Sequence, residues 1–159
     1  MNYSDGAPTA NISEFQLRQF KELISKLFRC CQERMQYQSE RFRLPDAELR
    51  CLVLFGEDRY LTSKGIAYKM NLVKSRVSRI ISGLLRKKLI QRIKDPGDSR
   101  VSLLSLTPKG QQRLDEINAF MEDIHCRVLQ QMVPDQRKTV LNNLEILKAS
   151  MEAVKEMME

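Results

Sequence analysis

The chain has 159 residues, 42% of them hydrophobic, enough for one domain with its own core and too few for two full ones. No run of 18 or more apolar residues occurs, and Met1 to Ala10 is polar and turn-rich, so neither a membrane span nor a signal peptide is expected and the expected location is the cytoplasm. The formal net charge of +7 is concentrated: twelve Lys or Arg and two acidic residues lie between Arg59 and Arg100, a local balance of +10 that leaves the remaining 117 residues at about −3. A basic, structured segment in an otherwise slightly acidic chain points to nucleic acid, because phosphate neutralisation with counterion release drives such binding. A solvated helix face carries similar charge, so charge alone does not decide the matter.

From Ile12 to about Met35, Phe20, Leu23, Ile24, Leu27, Phe28, Cys31 and Met35 recur at three-four spacing, which predicts a long amphipathic helix. Leu44-Pro45-Asp46 suits a helix start, and Leu49, Leu52, Val53 and Phe55 follow as a short core helix that Gly56 ends. The next helix is expected to begin near Thr62, whose hydroxyl can cap it, and to end at Asn71, a residue tolerant of left-handed backbone. Lys74 to Lys87 follows with Val77, Ile80, Ile81, Leu84 and Leu85 on one face. The three-residue Asn71-Leu72-Val73 connection and the small Ala67 let these two helices cross steeply, which is helix-turn-helix geometry.

Behind it, Leu89 to Lys94 and Val101 to Leu106 read as strands joined by Asp95-Pro96-Gly97-Asp98-Ser99-Arg100, a hairpin that forms a wing. Thr107-Pro108 offers a cap and a first-turn proline to a long helix, and Pro134-Asp135 restarts the chain as a last one. That last helix carries Val140, Leu144, Leu147, Met151, Val154 and Met158 as an unbroken a/d stripe. A chain this size has little spare core to cover three such stripes, so a homodimer through the terminal helices is expected, with an intramolecular three-helix packing as the alternative.

The order of these elements, with Asp98-Ser99-Arg100 and Leu106-Thr107-Pro108-Lys109-Gly110 following the helix-turn-helix, resembles the MarR family of winged helix-turn-helix regulators. About fifty residues, Leu61 to Gly110, carry the resemblance strongly, and the flanking helices carry it by architecture only. It implies a mainly α fold with a small β-wing: one domain over 1–159, with 45–106 as the DNA-binding region and 12–38 and 108–158 as dimerisation helices. It implies a homodimeric repressor of near-palindromic duplex DNA, released by a small-molecule effector, without cofactor or metal. The helix from Lys74 becomes the recognition helix, with Lys74, Ser75, Arg76, Ser78 and Arg79 facing the major groove. Arg76 is expected to read bases, since arginine pairs bidentately with guanine, and Arg79 backbone or bases. Arg100 and Lys94 belong to the wing, where Arg100 is similar to a minor-groove probe and Asp98 braces a nearby arginine or the turn itself. Thr62, Ser63 and Lys64 sit at a helix N-terminus that favours phosphate.

Two positions depart from the family pattern. Lys88 stands where the family has glycine after the recognition helix, and Val73 stands where it has a Ser or Thr cap, so that either the cap is supplied differently, as by Ser75, or the helix starts less firmly. Cys30, Cys31, Cys51 and Cys126 form no CxxC and are expected as reduced thiols; Cys30 and Cys31, flanked by Arg29 and Arg34, are the candidates for an alternative redox-sensing regulator. The single histidine, His125, has no acidic partner at a meaningful spacing, and no phosphate-binding glycine loop, HExxH or GxSxG is present, so catalysis is not expected. A winged-helix module that binds an acidic protein is the rival of another class; it would need apolar residues on the outer face of the Lys74 helix.

Overall fold

A computed structural model describes residues 11–98, 100 and 102–158. The polar segment Met1 to Ala10 and two residues of the expected hairpin, Ser99 and Val101, lie outside the described residues. The chain divides into two compact units, 1–106 and 107–159.

The first unit opens with α1, Glu14–Phe42. Ser13 starts it with a reciprocal cap: its hydroxyl accepts from the Gln16 N–H at 3.2 Å, and the Gln16 side chain accepts from the Ser13 N–H at 3.0 Å. This helix runs about one turn past the expected end near residue 38, because nothing between Met35 and Phe42 breaks it. It stops where Arg43 turns left-handed (φ 50°) and donates to the Glu40 and Ser39 carbonyls. After Pro45, α2 covers Asp46–Leu54 and buries Leu49, Cys51 and Leu52. Then α3, Ser63–Met70, and α4, Lys74–Arg86, cross through the Asn71–Val73 turn. Asn71 adopts the left-handed conformation anticipated for it, at φ 52°.

The core of this unit is built on α4. Val77, Ile80, Ile81 and Leu84 are all buried, while Leu85 is half-buried at the margin of that face. Lys88 follows with φ 59°, and the Lys88 and Leu89 N–H groups donate to the Leu85 and Leu84 carbonyls at 2.9 and 3.0 Å. A lysine therefore holds the left-handed position that glycine would fill without steric cost. Strands β1, Ile90–Lys94, and β2, Ser102–Leu106, pair antiparallel with Ile90 opposite Leu106 and Lys94 opposite Ser102. Leu61 adds a single bridge to Leu104, with N–H···O distances of 3.0 and 2.7 Å. That pairing, which sequence patterning did not indicate, ties the residue before the α3 cap to the wing.

The second unit contains α5, Pro108–Gln130, and α6, Pro134–Glu156. Thr107 caps α5, its Oγ1 accepting from the Gly110 N–H at 3.0 Å. On α5, Leu114 and Ile117 are buried; on α6 no residue is. No helix among the described residues is long and apolar enough to cross a membrane.

Candidate nucleic-acid interface

Three segments carry the basic side chains, and each is shaped by local hydrogen bonding. At the start of α3, Thr62 Oγ1 accepts from the Gly65 N–H at 3.0 Å. A Cβ at Gly65 would stand 3.3 Å from that oxygen, so the small residue leaves the cap undisturbed. The cap orients the first turn, and Ser63 and Lys64 follow it, half-buried and exposed respectively.

The second segment is the outer face of α4. With Val77, Ile80, Ile81 and Leu84 turned inward, Lys74, Ser75, Arg76, Ser78 and Arg79 are all exposed. Ser82 and Arg86 continue this face to the end of the helix, and Ser78, Arg79, Ser82 and Arg86 line a shallow groove at Gly83. Sequence reasoning stopped at Arg79. The spacing from Arg79 to Ser82 to Arg86, +3 then +4 on the face opposite the apolar one, was the signal that extends it. Val73 opens α4 with no side-chain cap, and Ser75 does not replace it: only the Val73 carbonyl takes part, accepting from the Arg76 and Val77 N–H groups at 3.1 and 3.2 Å.

What holds α4 in place is a contact with α2 that sequence reasoning missed. The Glu48 carboxylate is buried against Gly83, where a Cβ would overlap it, and Lys87 Nζ meets Glu48 Oε2 at 2.5 Å. Glu48 falls on a helix otherwise read by its leucines, so only the fold brings it to Lys87, thirty-nine positions away. The close approach assigned to Ala67 thus has a counterpart at Gly83 on the α2–α4 crossing.

The third segment is the wing. Arg92 and Lys94 are exposed on β1, and Arg92 Nη1 donates to Ser102 Oγ across the hairpin at 3.4 Å. In the connecting turn Asp95 Oδ1 accepts from the Gly97 N–H at 2.7 Å, and Asp98 Oδ1 accepts from the Arg100 N–H at 3.0 Å. Asp98 Oδ1 also lies 3.8 Å from Arg100 Nε, yet the Arg100 side chain is 93% exposed. Its guanidinium is therefore steered by Asp98 and still open to a ligand.

Not every cation of the basic segment faces outward unopposed. Lys69 pairs with Asp58 at 3.0 Å and Glu57 at 3.4 Å, and its hydrogen bonds to Asp58 and then Glu57 hold the ammonium above its usual range. Elsewhere, Cys30, Cys31 and Cys126 are exposed and Cys51 is buried. Among the described residues no group of three or more His, Cys, Asp or Glu is placed to hold a metal ion.

Residues 44–102 match the model of the MarR family. The HTH-type transcriptional regulator BilQ of Clostridioides difficile is 25% identical over 105 residues, covering 66% of this chain and 71% of that protein. A MarR family protein from Bacillus stearothermophilus superposes with a TM-score of 0.78 at 18% identity, over 88% of this chain and 98% of its own. The MepR–DNA complex of S. aureus gives a TM-score of 0.64 at 23% identity, over 80% and 98% of the two chains.

Proposed function

We propose that the chain, whose residues 44–102 match the MarR family model, is a DNA-binding transcriptional regulator of that family and not an enzyme, and that it works as a cytoplasmic, homodimeric repressor released from its operator by a small molecule. In this reading the chain is one functional domain, with 45–106 gripping DNA and the helices within 12–38 and 108–158 joining two copies. The observation that carries the DNA reading is the outer face of α4, where Lys74, Ser75, Arg76, Ser78 and Arg79 are exposed above a fully apolar inner face. A protein-binding module would present apolar side chains there instead.

Each segment then has a role. Thr62, Ser63 and Lys64 meet a phosphate at the α3 N-terminus, where backbone N–H groups and the helix dipole favour an anion. Arg76 pairs with a guanine edge, and Arg79 and Lys74 meet backbone or bases. Lys94 and Arg100 of the wing approach the neighbouring backbone and minor groove, with Asp98 setting the Arg100 direction. The homodimer is supported by the exposed apolar faces of α1 and α6, and two recognition helices place half-sites about 10 bp apart in a near-palindrome. Small-molecule release rests on the family resemblance. The exposure of Cys30 and Cys31 favours one second reading, release by thiol oxidation, in which peroxide would abolish binding by the wild type and leave a Cys30→Ser, Cys31→Ser protein bound.

The test is a fluorescence anisotropy titration against duplexes from the DNA upstream of the protein's own gene and a scrambled control, at several salt concentrations. Selective binding whose affinity falls steeply with salt is expected. Arg76→Ala should lose ~5- to 100-fold of discrimination at one base pair of each half-site. Arg100→Ala should weaken binding with little change in preferred sequence. Equal effects of both variants on every duplex would overturn this division of roles.

A further inference from the structure

The N-cap residue of α4 neither caps the helix with its side chain nor packs that side chain into the core. Val73 has the extended backbone of an N-cap (φ −70°, ψ 151°), but its side chain offers no acceptor, and it is 68% exposed. Thr62 and Thr107 cap α3 and α5 with their hydroxyls, and Ser13 caps α1. Of the other starts without a side-chain cap, α2 at Pro45 carries Asp46 and Glu48 in its first turn, where carboxylates complement the helix dipole, and Val133 of α6 is followed by Pro134, which lacks an N–H and is pre-set for a helix, so little is lost at either. At α4 no such compensation exists: Lys74, Ser75 and Arg76 follow, all exposed and polar. An isolated exposed valine is ordinary on a protein surface. One placed where a hydroxyl would stabilise the helix, and at the end of it that meets base edges, calls for a ligand with an apolar feature.

The major groove presents donors, acceptors and one apolar group, the C5-methyl of thymine. We infer that Val73 packs its isopropyl group against a thymine methyl in each half-site, adding apolar readout next to the hydrogen-bonding readout of Ser75 and Arg76. This contact rests on the DNA-binding reading above and deepens it to a base preference. It explains the missing cap as an exchange of local helix stability for sequence discrimination.

Replacing thymine by uracil removes that methyl and nothing else. Duplexes selected from random DNA by the wild-type protein would be substituted T→U one position at a time, and the Kd of each measured by anisotropy. The expected result is one position per half-site where uracil weakens binding about fourfold, the effect of one methyl-sized apolar contact. Val73→Ser should bind the thymine and uracil duplexes equally, while Val73→Thr, which keeps a methyl group, should retain part of the difference. Serine restores a capping hydroxyl, so Val73→Ser should melt no lower than wild type, which separates lost readout from unfolding. Selective binding with no position where the wild type exceeds Val73→Ser in its thymine-to-uracil ratio overturns the methyl contact alone. Absence of any selective binding by the wild type overturns the proposed function, and this contact with it.

Discussion

The twelve basic residues between Arg59 and Arg100 divide into those spent on the fold and those left for a polyanion. Lys69 is paired with Asp58 and Glu57, and Lys87 with the buried Glu48, so the charge available to phosphate is smaller than the sequence count. The cations that remain exposed, Arg76, Arg79, Arg86, Lys94 and Arg100 among them, lie on α4 and the wing. Cysteines divide in the same way. Burial, with a smaller contribution from the Glu48 carboxylate, pushes the Cys51 thiol up from 9.0 to about 12. The unfolded thiol ionises near 9.0 and the folded one near 12, so the stability tied to the neutral thiol is complete below pH 9.0 and is lost as the pH rises towards 12. At pH 8.5 native Cys51 should resist iodoacetamide and label rapidly only in denaturant, as read by peptide mass spectrometry. Equal labelling of Cys51 in native and unfolded protein would show that it is neither buried nor held neutral.

At the level of elements, α4 is held by its apolar face and by the α2 crossing at Gly83. Alanine at that position gains about 1 kcal/mol in helix propensity but must displace the Glu48 carboxylate and its bond to Lys87, a steric and polar cost of ~1–3 kcal/mol. Gly83→Ala should therefore lower stability in urea by on the order of 1 kcal/mol, and weaken DNA binding by shifting α4. A variant as stable as wild type would mean that displacing the Glu48 carboxylate costs no more than the helix propensity that alanine gains. The helix order, the Thr62 and Thr107 caps and the Asn71 turn were legible because each depends on residues within one or two turns of chain. Neither the Leu61–Leu104 bridge nor the Glu48–Lys87 pair was, because both join residues distant in sequence. Lys88 shows the same limit in reverse: its type argued against a left-handed residue, and closure of α4 onto β1 imposed φ 59° regardless.

For the whole molecule, the proposed assembly rests on the apolar stripes of the terminal helices. On α1, Phe15, Leu23, Leu27 and Phe28 are each more than half exposed. Along α6, Leu144, Leu147 and Met151, with Met158 just past its end, line an open groove together with Lys148, Glu152 and Lys155. Exposed apolar surface of this kind marks an association site, and in the proposed homodimer the partner copy covers it. Leu144→Glu combined with Met151→Glu should convert a two-chain particle into a single chain by light scattering, and should flatten binding to a two-half-site duplex towards that of one half-site. A wild-type protein of single-chain mass at micromolar concentration would favour the intramolecular packing instead.

The sequence by itself determined the winged helix-turn-helix. Apolar periodicity, capping residues and turn chemistry act over a few residues, and α3, α4 and the hairpin are written in those terms, as is the basic face that follows from them. Tertiary structure decided which charges stay outside. Burial of Glu48 under Gly83 draws Lys87 inward, and the Asp58–Glu57 turn takes Lys69, whereas Ser82 and Arg86 emerge beside Arg79 as one surface. The physical reason is that a charge's role depends on what the folded chain places within about 4 Å of it, and sequence spacing gives that distance only for neighbours on the same helix or turn.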